Sequence, residues 1–98
     1  MDYKEQKYSW NAEKNLWLLA MREVGFDDVV RAMGADGLLD TIPHPNQIRY
    51  KGQVLHVVAV REYAYIVPCA ETAEQCFCKT IYPSRIMTKK YLKKGAYI

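Results

Sequence analysis

The stretch Gln53-Val54-Leu55-His56-Val57-Val58-Ala59-Val60 constrains the fold more than any other part of the chain. Its residues are apolar at both parities, so neither side of an extended strand would face water comfortably. Such a strand belongs inside a sheet covered on both faces. Arg61-Glu62 interrupts the run, and Tyr63-Ala64-Tyr65-Ile66-Val67 reads as the returning strand. Pro68 has no N–H to give to a ladder and predicts a bulge or an end of pairing. After a loose turn over residues 70–74, a last strand is expected from Gln75 to Tyr82. An earlier strand over residues 38–42 is stopped by Pro43-His44-Pro45-Asn46, which places His44 on a loop. Arg49-Tyr50-Lys51 is read as a resumption of extended structure.

Before these strands the periodicity changes. Tyr8-Ser9-Trp10 is a short extended piece, and Asn11 is positioned to cap a helix running to about Val24, with Glu13 in its first turn. Leu16, Leu19 and Ala20, with Trp17 and Met21 beside them, predict a broad buried stripe on that helix. Gly25 ends it, and a second helix begins at Phe26-Asp27-Asp28 and ends by Gly34 or Gly37. The order predicts an α+β domain over residues 1–98: two N-terminal helices, an antiparallel sheet of about four strands, and a C-terminal basic helix.

Half of the 98 residues are hydrophobic and 26% are charged, as expected of a globular protein. No apolar run is long enough to span a bilayer, and the first residues carry no apolar leader, so a cytoplasmic location and no membrane partner are expected. Cys69, Cys76 and Cys78 include no Cys-x-x-Cys and leave one over from any pairing, which argues against a disulfide framework. Cys76 and Cys78 alternate around Phe77, so both thiols share a face and are expected to pack as small apolar groups. A metal site joining the cysteines to His56 is conceivable, but the expectation is that no metal or cofactor is used and that His56 is a satisfied, partly buried side chain.

The charge is unevenly spread. Residues 79–98 hold six of the 14 basic residues and none of the 11 acidic ones, leaving eight basic against 11 acidic in the rest, a net of −3. A basic patch on a mildly acidic body points to a polyanion. After Pro83, Ser84 is a good N-cap, and Arg85, Lys89 and Lys93 follow at i, i+4, i+8, with Lys90 on the adjacent stripe. Arg85 stands at the positive end of the helix dipole, where a bound phosphate would offset an otherwise unfavourable cation. Met87 and Tyr91 form a second row able to face the sheet. Lys79 is expected in the last strand on one face with Phe77 and Ile81, and Tyr82 is placed to stack on a base.

Among the residues with no assigned structural duty, no Ser-His-Asp order, phosphate-cradling glycine loop or metal-ligand spacing occurs. What remains is Arg, Lys, Tyr and an accessible His44. That set suits RNA cleavage through the substrate's own 2′-hydroxyl, which needs a base, an acid and cations on the charged transition state.

Trp10-Asn11-Ala12-Glu13-Lys14-Asn15, Gly25-Phe26-Asp27-Asp28-Val29 and the closing segment from Lys79 to Lys90, with its Ser84-Arg85 break and Thr88-Lys89-Lys90 helix, resemble BrnT-type toxins. The resemblance implies a RelE-like fold, a metal-independent endoribonuclease of a type II toxin–antitoxin pair, and a cognate antitoxin covering the active surface, with a possible oligomer between them. It also implies that Arg85 is the arginine after the last strand, that Thr88 is the helix threonine, and that Lys89 and Lys90 are the basic positions following it. The histidine often found at the end of the first helix is replaced here by Met21-Arg22-Glu23, and Tyr91 stands where many relatives have glutamate. Together these readings make Arg85, Lys79, Tyr91 and His44 the catalytic candidates, and Tyr82, Ser84, Lys89, Lys90 and Lys93 the RNA-binding ones. The competing expectation is a non-catalytic nucleic-acid-binding or protein-interaction module of the same fold.

Overall fold

The computed structural model describes residues 7–92. Its architecture is α+β, with three helices and one mixed sheet among the described residues. In chain order the elements are β1 (Lys7–Ser9), α1 (Ala12–Arg22), α2 (Phe26–Gly34), β2 (Leu38–Pro43), β3 (Gln53–Val60), β4 (Tyr63–Glu71), β5 (Gln75–Cys78), β6 (Tyr82–Pro83) and α3 (Arg85–Tyr91). The sheet runs β1-β5-β4-β3-β2, and β6 pairs with β4.

The β3–β4 hairpin is the centre of the sheet, as the doubly apolar strand required. Arg61 and Glu62 both have left-handed backbones, φ 50° and 69°, which is the geometry that matches a two-residue hairpin to the twist of its strands. Neither is glycine, so the turn is strained, and Arg61 offsets part of that cost through its side chain. Its Nη2 donates to the Glu23 carbonyl at 2.6 Å, and Nη1 lies 3.7 Å from Asp28 Oδ1. The turn is thereby tied to the α1–α2 corner.

Four strand expectations are corrected. The sheet is not a four-stranded antiparallel one: it is mixed, because β1 runs parallel to β5, with Tyr8 opposite Cys76. Pro68 neither bulges nor ends β4, which continues to Glu71 with Pro68 opposite Leu55. The Pro68 carbonyl accepts from Lys79 N–H at 2.8 Å, so the proline nitrogen faces the same side, in the gap where β5 has stopped and β6 has not begun. The last strand breaks at Cys78, and residues 79–81 cross to β6. Residues 46–52 form turns, not the extended piece expected around Arg49.

One face of the sheet holds the core. Leu18, Val24, Phe26, Val29 and Met33 pack from the helices onto Val58, Val60, Val67, Cys69, Cys76, Cys78 and Ile81. Asn11 caps α1, its Oδ1 accepting Lys14 N–H at 2.9 Å. Asn15 Oδ1 accepts Phe26 N–H and Asp28 Oδ2 accepts Gly25 N–H, both at 2.8 Å, so the α1–α2 corner is held by side chains from either helix. Gly37 is needed for a close approach: a Cβ there would stand 2.6 Å from the Ala32 carbonyl oxygen.

The broad buried stripe expected of α1 is absent. Only Leu18 is buried on this helix, while Leu16 and Met21 are 67% and 65% exposed and Trp17 and Leu19 are 44% exposed. Lys14 Nζ and the Arg22 guanidinium lie 4.5 and 5.3 Å from the Trp17 ring, covering part of it with cations. Trp10, by contrast, stacks on Phe26 at 5.4 Å and serves the core. Among the described residues no helix is long and apolar enough to cross a membrane.

Candidate nucleic-acid interface

The basic helix is fastened to the sheet at both ends. Ser84 is its N-cap, with Oγ accepting Met87 N–H at 3.1 Å, and Ser84 N–H donates to the Ala64 carbonyl at 2.9 Å. Here the ladder between β4 and β6 runs out, and a side chain takes over. Thr88 Oγ1 accepts Ala64 N–H at 2.9 Å and donates to the Ser84 carbonyl at 2.7 Å. Thr88, and not the Met87–Tyr91 row, therefore supplies the fully buried contact, while Met87 and Tyr91 flank it half-buried.

At the other end Tyr91 donates its hydroxyl to Asp40 Oδ2 on β2 at 2.6 Å. Hydrogen bonds from Tyr91 and from Thr41 N–H hold the Asp40 carboxyl below its ordinary range, and the same Tyr91 contact pushes the phenol up. Tyr91 thus keeps its proton more firmly than a free tyrosine, which disfavours it as a base. With the helix so fixed, Arg85, Lys89 and Lys90 are exposed on its outer side, and Ile86 is 76% exposed beside them. Lys90 Nζ lies 5.3 Å from the Tyr91 ring. Lys93 lies outside the described residues.

Next to the start of α3 is a groove of about 510 Å³ lined by Met21, Arg22, Tyr63, Tyr65, Tyr82 and Pro83. Tyr63 and Tyr65 meet edge to face at 5.7 Å, and Arg22 Nη1 donates to the Ile81 carbonyl at 2.6 Å, fixing a cation at the rim. Tyr82 is 37% exposed here. Reading the sequence identified Tyr82 but missed Arg22, Tyr63, Tyr65 and Asp40. The two-residue spacing of Tyr63 and Tyr65 already placed them on one strand face; Asp40 left no local signal.

The remaining candidates are differently placed. Lys79 is not in a strand: it lies exposed in the crossing after β5, and Ile81, expected on its face, is completely buried. His44 follows β2 at the end of the sheet where Pro43 pairs with Val54, whereas Ser84 is bonded to Ala64, which pairs with Ala59. The five-residue offset along β3 separates these levels by about 17 Å, so the fold does not bring His44 to Arg85. His44 instead accepts Asn46 N–H on Nδ1 at 3.0 Å and packs on Tyr50 with centroids 4.3 Å apart.

A separate cluster lies inside the protein. His56 is not partly buried and satisfied: it is 1% exposed, Nδ1 is 2.9 Å from Thr41 Oγ1, and Nε2 has no hydrogen bond. One ring nitrogen of His56 and the sulfurs of Cys69 and Cys76 lie within 4.8 Å of one another, a donor set able to hold a metal ion. Burial disfavours charge on His56, but the neighbouring Cys76 thiol and Glu71 carboxylate outweigh it and raise its pKa.

No family profile matches this chain, no curated protein matches it, and no solved structure matches its fold.

Proposed function

We propose that this chain binds single-stranded RNA across α3 and the tyrosine groove and cleaves it without a catalytic metal. On this reading it is a RelE-like, BrnT-type toxin acting in the cytoplasm and held in check by an antitoxin. The observation that carries the proposal is the fixed display of Arg85, Lys89 and Lys90 on a helix tied to β4 and β2, beside a groove lined by three tyrosines and Arg22. Cations held in place before the substrate arrives need little reorganisation as charge develops on a phosphorane-like transition state. Tyrosine faces accept any base by stacking.

In the reaction the 2′-hydroxyl gives its proton to solvent water and attacks the adjacent phosphorus, and the 5′ oxygen leaves with a proton from Tyr91. The products carry a 2′,3′-cyclic phosphate and a 5′-hydroxyl. Arg85 stabilises the transition state, Lys79, exposed on the β5–β6 crossing, is the second cation, and Lys89 and Lys90 grip neighbouring phosphates. Tyr91, which holds its proton, fits the acid and not the base. Met21, an exposed large apolar side chain that lines the groove with Tyr82, fits a protein partner laid over that groove.

The test is incubation of the purified protein with a defined single-stranded RNA in buffer without added divalent cation, with and without ribosomes. Cyclic-phosphate ends that disappear with Arg85→Ala, in a variant of unchanged circular dichroism, support the proposal. Cleavage at the wild-type rate by that folded variant would refute the site. A second reading, RNA binding without cleavage, is favoured by one observation: of the two proton-transfer candidates among the described residues, His44 is remote from Arg85 and Tyr91 is engaged by Asp40. Intact RNA that shifts on a gel is its signature.

A further inference from the structure

The core face of the sheet carries one group of side chains that apolar packing does not explain. His56 on β3, Cys69 on β4 and Cys76 and Cys78 on β5 come from three adjacent strands. His56 is opposite Val67, Cys69 follows two residues later on the same face, and Cys69 in turn is opposite Cys78. All four are at most 1% exposed, and the three thiols are free. Thiols alone would pass as small hydrophobes. The histidine does not, because a buried ring nitrogen without a partner is costly.

Thr41 makes sense of its orientation. Nδ1 and Thr41 Oγ1 are hydrogen-bonded at 2.9 Å, and in the tautomer in which Nδ1–H donates, Nε2 carries a lone pair able to bind a metal. A metal-ligating histidine is commonly held in this way, one nitrogen tethered and the other free to bind. The nearest carboxylate oxygen, Glu71 Oε2, is 3.5 Å from Nε2 but does not form a hydrogen bond with it. Cys78, buried and opposite Cys69 on the ladder, is the adjacent thiol, outside the three donors that already lie within 4.8 Å of one another.

We propose that His56, Cys69, Cys76 and Cys78 form a tetrahedral structural zinc site that ties β3, β4 and β5 together beneath the helices. One nitrogen and three thiolates are a recognised structural zinc set, with ligand–ligand edges of roughly 3.5–3.8 Å following from the usual bond lengths. His56, Cys69 and Cys76 already lie within 4.8 Å of one another, and Cys78, opposite Cys69, would supply the fourth ligand by rotation of its side chain. On binding, Zn²⁺ accepts four lone pairs and three thiol protons pass to solvent, leaving a buried centre of net charge −1. Glu71, opposite Cys76 and with its side chain 23% exposed, stays outside the ligand set. Because every donor is buried, the ion enters as the chain folds.

The full chain is denatured under reducing conditions, then refolded with Co²⁺, with Zn²⁺, or with a chelator. The expected result is one Co²⁺ per chain with the strong visible bands of tetrahedral coordination and a thiolate charge-transfer band, both lost when Zn²⁺ is added. The melting temperature of the Zn²⁺ form should exceed that of the metal-free form. Cys76→Ser, checked for fold by circular dichroism, should lose or markedly weaken the cobalt bands. A folded, reduced wild-type protein that takes up no cobalt, or shows only octahedral spectra, overturns the proposal. So does a metal-free protein in which Cys69 and Cys78 are joined as a disulfide. None of these readouts involves RNA.

Discussion

Thr88→Val isolates the bond that attaches the basic helix to the sheet. The substitution keeps the shape and removes the hydroxyl. Ala64 N–H then remains buried under α3 with no acceptor, whereas the Ser84 carbonyl still receives Thr88 N–H at 3.0 Å. An unsatisfied buried amide costs about 1–3 kcal/mol, and the lost hydroxyl donation adds about 0.5 kcal/mol, for a total of about 2.5 kcal/mol. At about 4–8 °C per kcal/mol for a domain of this size, the melting temperature should fall by roughly 10–20 °C. Urea unfolding should show a lower midpoint with an unchanged slope. Thr88→Ser keeps the hydroxyl and loses only a buried methyl, about 0.8 kcal/mol, so it should lie between the two. If Thr88→Val unfolds at the same midpoint as wild type, or above Thr88→Ser, the hydroxyl is not what holds α3 and the reasoning fails. Because Thr88 is buried and bonded on both sides, Thr88→Ser should also leave RNA affinity essentially unchanged.

Two further outcomes follow from the same surface. Arg85→Ala, Lys89→Ala and Lys90→Ala should each flatten the plot of log affinity against log salt for single-stranded RNA by about 0.7, measured by fluorescence anisotropy; an unchanged slope would remove that residue from the phosphate contacts. The Asp40 carboxyl is held below its ordinary range by Tyr91, so the stability it contributes is present above the unfolded-state pKa and is lost as pH falls through the lower folded value. Wild type should therefore exceed Tyr91→Phe in stability near neutrality, with the gap closing below about pH 4. Urea midpoints taken across that range decide it, and a gap that persists at low pH would show that the Asp40 charge is not involved.

Local rules made several features readable in the chain alone. The caps at Asn11 and Ser84 depend on one side chain and an amide three residues on. The β3–β4 pair depends on a doubly apolar run, a two-residue break and a second run, and it forms where those residues predict. The exposure of Arg85, Lys89 and Lys90 follows from their charge and spacing on one short helix. In each case the energy lies within a few neighbouring residues, so the tertiary fold has little to override.

Tertiary structure decided the rest. An apolar helix of 11 residues does not announce how much of it is covered, and α1 leaves Leu16 and Met21 exposed because only Leu18 is fully buried against the core. Pro68 sits within β4 because the gap between β5 and β6 spares it a partner, a fact about other strands. Tyr91 and Asp40 meet across 51 positions. The His56–Cys69–Cys76 cluster needs three strands in register before its spacing becomes visible. Pattern and propensity act over a few residues; which distant side chains share a site is set only when the strands are paired and the helices laid across them.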